Sequence, residues 1–250
     1  MVPFMTYQDA QQHELSRRCT LEIAAAFILL ALPGATQLRA DDHLQVTLPE
    51  QAALVDGKPT GEGWTNLFAN GLDDWQYDPK YWSFDDGVLQ GKAESKVPHL
   101  HAVTKSADHQ DFALHVLVKS TTRPKAKFSS GILLRKQRSG KSLRIDIGPS
   151  VWGNIHLQKN FPKDLQAKIV KPNDYNHYYI ELQGNHLKAW LNGIKTIDQV
   201  IDANSKKPKL VSEPGSIGFI IGHSSQFTQI EVKLLAIRQL VATRAQADDT

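Results

Sequence analysis

From Trp64 onward, apolar and polar residues alternate in short runs separated by turn residues, the period-two pattern of half-buried strands. Asp111 to Lys119 (DFALHVLVK) shows it most clearly. Phe112, Leu114, Val116 and Val118 point one way, and Ala113, His115, Leu117 and Lys119 point the other. Ser142 to Gly148 (SLRIDIG) sends Leu143, Ile145 and Ile147 inward and leaves Arg144 and Asp146 on the opposite face. Gly153 to Gln158 (GNIHLQ) is read the same way, with Ile155 and Leu157 opposed to Asn154, His156 and Gln158. Further strands are predicted at 130–137, 178–182, 187–191, 218–221 and 230–240. Asp86-Gly87 and Asn192-Gly193 are turn pairs that tolerate positive φ and join hairpins. One short helix is expected at 162–170. Many short strands with so little helical period predict an all-β, two-sheet antiparallel sandwich.

The first 40 residues break this texture. Arg17 and Arg18 precede an apolar run, Leu21 to Leu32, interrupted by Glu22. Ala35 and Ala40 follow as candidate cleavage positions, and Asp41-Asp42 would open the mature chain. A basic start, a short apolar stretch and a small-residue exit have the order of a secretory signal, with secreted or periplasmic localisation as the expectation. The run is about a dozen residues against the ~20 that span a bilayer, so no stable membrane insertion is expected once the leader is gone. The expected organisation is residues 1–40 leader, 41–62 polar linker, 63–240 β-sandwich and 241–250 frayed tail. The single cysteine, Cys19, lies in the leader, which leaves the mature chain without a disulfide or thiolate metal site.

The formal net charge of +3 offers no basic face of the kind nucleic-acid binding requires. No phosphate-cradling glycine loop, nucleotide fingerprint or ordered Ser-His-Asp set is present.

Gly63 to Trp75, Tyr81 to Gly91, Asp111 to Leu114 and Ser129 to Ile132 with Arg135, in this order, resemble segments of the 3-keto-disaccharide hydrolase domain family. Gly63 to Trp75 (GWTNLFANGLDDW) is similar to its opening, and Tyr81 to Gly91 (YWSFDDGVLQG) to its first hairpin. Asp111 to Leu114 matches its Asp-Phe-x-Leu, and Ser129 to Ile132 with Arg135 its Asn-Ser-Gly-Ile-x-x-Arg, with serine in place of asparagine. Tyr175 to Ile180, Leu191-Asn192-Gly193, Gly215 to Gly218 and Ile237 to Leu240 occupy the remaining slots. The resemblance covers about residues 61–240. It implies a concanavalin A-like jelly roll acting on sugars whose C3 hydroxyl has become a ketone. One departure stands out: where the family carries glutamate and glutamine on the strand after Asn-Ser-Gly, this chain reads Ser142-Leu143-Arg144-Ile145-Asp146, and only the aspartate remains near its place.

A ketone at C3 acidifies the C2 proton, so the implied reaction needs a base, a cation for the enolate oxygen and an acid for the leaving group. Arg135, Arg144, Asp146, Asn154, His156 and Gln158 fall on one face if their strands are neighbours. His156 or Asp146 is the candidate base and Arg135 or Arg144 the candidate cation. Asn154 and Gln158 are candidate sugar contacts, and Trp152 or Trp190 a stacking platform. The plain alternative is an Arg–Asp pair on a solvated sheet with His156 as a bystander. Trp64, Trp75 and Trp82 read as core. His99 and His101, with His223, form a possible divalent-metal set, although no cofactor is required. The expected partner is an oligosaccharide or keto-sugar. A non-catalytic carbohydrate-binding module on the same scaffold and a purely structural envelope protein are the competing readings.

Overall fold

A computed structural model describes residues 48–93, 97–121, 130–159, 161–202, 205, 211–222 and 227–241. The leader with Cys19, the basic stretch 123–127, Ser129, His223 and the tail beyond Val241 lie outside the described residues.

The strands, in chain order, are β1 (Leu54–Val55), β2 (Lys58–Pro59), β3 (Thr65–Asn66), β4 (Trp75–Gln76), β5 (Trp82–Asp85), β6 (Val88–Ala93), β7 (Leu100–Thr104) and β8 (Phe112–Ser120). They continue with β9 (Ser130–Lys136), β10 (Leu143–Ile147), β11 (Asn176–Gln183), β12 (His186–Leu191), β13 (Ile194–Val200), β14 (Ser216–Ile221) and β15 (Thr228–Gln239). Among the described residues one α-helix, α1 (Lys163–Ile169), lies between β10 and β11.

Two antiparallel sheets form the expected jelly-roll sandwich. The smaller has the order β10-β9-β14-β7-β4. The larger runs β13-β12-β11-β8-β15-β6-β5, with β3 attached to β15. Alternation along each strand sends one set of side chains between the sheets. Phe112, Leu114, Val116 and Val118 of β8, Ile132 and Leu134 of β9, Ile145 and Ile147 of β10 and Phe219 of β14 meet there, with Trp75 and Trp82. Each fully buried large aliphatic side chain contributes about 1.5–3 kcal/mol by leaving water. The Asp86-Gly87 and Asn192-Gly193 turns adopt the positive φ angles their hairpins need, 47° and 74° in the first and 49° and 91° in the second.

Three sequence expectations are corrected. Residues 153–158 are not a strand: only Ile155 bridges, to Ile145, and the rest is turn or irregular backbone. Leu157, expected inward, has φ of 68° and is 64% exposed. The segment read as a linker carries structure from residue 50: a 3-10 turn at Glu50–Ala52 and the β1–β2 hairpin. Ala52 buries itself against Ala113, Tyr179 and Trp190 on the outer face of the larger sheet, with Leu48, Trp64 and Leu240 packed alongside. Trp64 therefore belongs to this second, smaller cluster and not to the space between the sheets.

Candidate functional site

Strand β10 pairs with β9 so that Arg144 stands beside Leu133 and Asp146 beside Gly131. With Ile145 and Ile147 committed to the core, Arg144 and Asp146 share the outer face of the smaller sheet, as alternation requires. A Cβ on residue 131 would lie 2.6 Å from Arg144 Nε and 2.9 Å from its Cγ. Glycine at this position is what lets the arginine lie across β9. Arg144 Nε comes 2.8 Å from Asp146 Oδ1 as an ion pair, without the alignment of a good hydrogen bond. One Arg144 terminal nitrogen donates to the Ser130 carbonyl at 3.2 Å. Burial pulls the Arg144 pKa down and the neighbouring Asp146 opposes it; a guanidinium remains charged under such conditions.

His156 reaches this pair from the turn after β10. The Asp146 amide donates to the Asn154 carbonyl and the His156 amide to the Arg144 carbonyl, each at 2.9 Å, which holds the turn against the strand edge. Tyr178 Oη accepts from the Gly153 amide at 2.8 Å and donates to the Asp146 carbonyl at 3.2 Å. Asn154 Oδ1 accepts from the Phe161 amide at 2.8 Å and its Nδ2 donates to the Val151 carbonyl at 3.1 Å. In consequence His156 Nδ1 sits 3.0 Å and 3.2 Å from the two Asp146 carboxylate oxygens. The carboxylate is 5% exposed and the imidazole 37%. A buried aspartate thus orients a partly exposed histidine.

Other expected members lie elsewhere. Arg135 does not join the group. β9 and β14 shift register between Ser216 and Gly218, and Arg135 takes a φ of 48°. This irregularity turns its side chain away from the shared face. Its guanidinium donates to the carbonyls of Gln110, Gly184 and Val211 at 2.6, 2.7 and 2.9 Å and pairs with Asp111 Oδ1 at 2.9 Å. It is a buried tie between loops. Asn154 spends its amide on the turn described above, and Trp152 stacks on Tyr178 within the core, at a centroid distance of 6.0 Å. Trp190 is 4% exposed on the outer face of the opposite sheet, packed on Tyr179. Neither tryptophan offers a sugar platform at this site. Gln158 is partly buried in the same turn as His156.

The shared face continues past β9. The pairings Asp146–Gly131, Gly131–Ile220 and Ile220–His101 make one row across four strands. Over β14, β7 and β4 lies a groove of about 830 Å³, lined among others by Gln76, His101, Val103, Lys136 and Ser216. Lys136 stands opposite Ser216 beyond the β9 irregularity, so it holds the groove position that strict alternation assigns to Arg135. Neither Gly131 nor Lys136 was expected in the site. A glycine beside two apolar strand residues hints at a close approach, but a register irregularity leaves no mark in the sequence. Among the described residues, no group of three or more His, Cys, Asp or Glu side chains is arranged for a metal ion. His101 lines the groove with His99, while His223 lies outside the described residues.

The fold is thus a two-sheet antiparallel jelly roll whose smaller sheet has a grooved polar outer face and carries the His156–Asp146–Arg144 cluster at its β10 edge. The chain belongs to the family of the 3-keto-alpha-glucoside-1,2-lyase-like domain, whose sequence profile it matches over residues 54–233. No curated protein matches it. A candidate glycosyl hydrolase of Parabacteroides distasonis ATCC 8503, 17% identical, superposes with a TM-score of 0.51 over 72% of this chain and 94% of that one. Cellulose induced protein Cip1, 14% identical, does so with a TM-score of 0.51 over 72% and 99%. A sialidase, 9% identical, has a TM-score of 0.52 over 73% of this chain and 19% of that one. At these identities the likeness is one of fold.

Proposed function

We propose that this domain cleaves 3-keto-glycosides by elimination, with His156 as the proton-transfer group. The observation that carries this reading is the contact of His156 Nδ1 with the buried Asp146 carboxylate at 3.0 Å, beside Arg144. In the proposed reaction His156 Nε2 takes the C2 proton of the keto-sugar. The C2–H electron pair passes into an enolate whose oxygen, formerly the C3 ketone, faces the Arg144 guanidinium. As the ketone re-forms, the C1–O bond breaks and a double bond forms between C1 and C2. The leaving oxygen recovers the proton from His156. Water added at C1 completes net hydrolysis. Asp146 positions the imidazole and stabilises its protonated form without itself exchanging a proton. Imidazole suits a step run near neutral pH.

The second reading is a non-catalytic carbohydrate-binding module that uses the same groove. It is favoured by the missing glutamate and glutamine of the family strand, replaced here around Ser142 and Arg144. Release of a chromogenic aglycone from a 3-keto-glycoside, followed for the wild type, Asp146→Asn and His156→Ala, separates the two. Release that both substitutions abolish supports the enzyme. Release that neither reduces refutes the site, and sugar binding without release moves the assignment to the module. Export belongs to the same proposal, resting on Arg17, Arg18 and the apolar run to Leu32. N-terminal sequencing of the protein from the producing cell tests it, with cleavage near Ala40 the expected result and a retained Met1 or Met5 the contrary one.

A further inference from the structure

The groove over β14, β7 and β4 is charged in one sense. Among its lining residues Lys105, Lys136 and Arg138 face the single carboxylate of Asp78. Asp78 is already engaged: its Oδ1 accepts from the Lys80 amide at 2.9 Å. Lys105 is occupied as well, donating to the Asp73 carbonyl at 2.6 Å. Lys136 is different. It is partly buried, and among the described residues its ammonium donates to the neighbouring Gln137 carbonyl, at 2.9 Å, and pairs with no carboxylate. A half-buried ammonium without a counter-ion gives up hydration for nothing in the free protein. That loss is offset when an anion arrives. Arg138 stands exposed on the same rim.

His101 supports the same conclusion from the floor of the groove. Its pKa is lowered to about 4, first by burial and then by the positive charges of Lys136, His99 and Arg144. Burial and these positive neighbours together disfavour a charged imidazole there. Three inter-strand steps separate His101 from Asp146 in the cross-strand row, about 14 Å at the usual strand spacing. The Arg144 side chain extends part of that way over Gly131. A saccharide of several units lying along this row places one unit at His156 and a later one in the groove that Lys136 lines.

We propose that the groove selects an anionic saccharide, a unit bearing a carboxylate or sulfate held by Lys136 and Arg138 on the same face of the sheet as the unit presented to His156. This deepens the proposed function and rests on it for the identity of the reacting unit, but the charge preference can be measured alone.

The test is calorimetric titration of the full chain with three matched disaccharides: neutral cellobiose, glucuronyl-glucose and O-sulfated cellobiose. Each is run at low and high salt with the wild type, Lys136→Gln, Lys136→Arg and His156→Ala. Charge-assisted contacts of this kind are expected to favour an anionic disaccharide by about tenfold or more over cellobiose at low salt. Salt should erode that preference. Lys136→Gln should abolish it, Lys136→Arg retain it and His156→Ala leave it in place. The two anionic ligands tell carboxylate from sulfate recognition. Equal binding of neutral and anionic sugars, binding of none, or a preference that survives Lys136→Gln would overturn the proposal. Anionic preference without release of aglycone from any keto-glycoside would retain the charge selection and refute the elimination. Release of aglycone without charge preference would do the reverse.

Discussion

Arg135 and Arg144 stand on neighbouring strands and bury their guanidinium groups to different ends. Arg144 spends its charge on Asp146 on the outer face of β10, whereas Arg135 ties three backbone carbonyls and Asp111 together and is 1% exposed. Removing Arg135 strands those acceptors and the Asp111 charge. Arg135→Met should lower the urea unfolding free energy by about 3–5 kcal/mol while turnover per folded molecule stays unchanged. Loss of turnover at full stability would return Arg135 to the site. A second residue-scale consequence concerns the outer face of the larger sheet. His177 Nε2 meets His115 Nδ1 at 2.9 Å, and the rings stack with centroids 5.1 Å apart. Burial, with a smaller push from Lys171, lowers the His177 pKa to about 4. A histidine whose folded pKa lies below its unfolded value of about 6.5 binds fewer protons when folded. Stability therefore rises with pH through that interval. Above pH 6.5 the cost of keeping His177 neutral is nil, and it grows as the pH falls toward 4. His177→Gln should flatten this part of a pH-dependent unfolding curve, and an unaltered slope would contradict the assignment.

At the scale of elements, alternation is a sound guide while a strand stays regular. It separated Phe112, Leu114, Val116 and Val118 from their neighbours on β8, and it set Arg144 and Asp146 on one face of β10. It failed where regularity ends. The β9–β14 irregularity exchanges Arg135 for Lys136 on the groove side. His156 was expected on a strand but arrives on a turn, held by Tyr178 of β11 and by the Phe161 amide bonded to Asn154. Trp190 was legible as an alternating strand residue, but period two cannot say which of two sheets, or which of its faces, a residue joins. Gly131 is the element-scale counterpart of these failures. Its value lies in a side chain it lacks, beside an arginine that comes from the next strand. Gly131→Ala places a methyl group 2.6 Å from Arg144 Nε and 2.8 Å from the Ile145 carbonyl. The expected cost is about 1–3 kcal/mol of stability from overpacking. If Arg144 meets the enolate, turnover should also fall by about 10²-fold, the scale of losing one oxyanion donor. Reduced stability with full turnover would show that the arginine need not lie where it does.

Across the whole molecule, the two sheets divide the labour. The larger sheet buries its outer aromatic cluster under Leu48, Ala52 and Leu240, so the segment before the family-matched region helps to cover it. The smaller sheet keeps its outer face polar and grooved, with His156 at one edge and the cationic lining toward the other. The jelly roll was legible because it follows from periodicity, turn pairs and ordered family segments. The working groups were only partly so, because loops and irregularities converge on them through contacts distant in sequence. The account stands or falls on proton abstraction at C2. Its most direct test is proton NMR of a 3-keto-glycoside incubated in deuterium oxide with the wild type and His156→Ala. The account predicts that wild-type protein releases the aglycone together with the signature of C2–H cleavage: deuterium at C2 of recovered substrate, or a 1,2-unsaturated 3-keto product. It predicts that His156→Ala does neither. Aglycone release with the original C2 hydrogen retained, or C2 chemistry undiminished in His156→Ala, would contradict it.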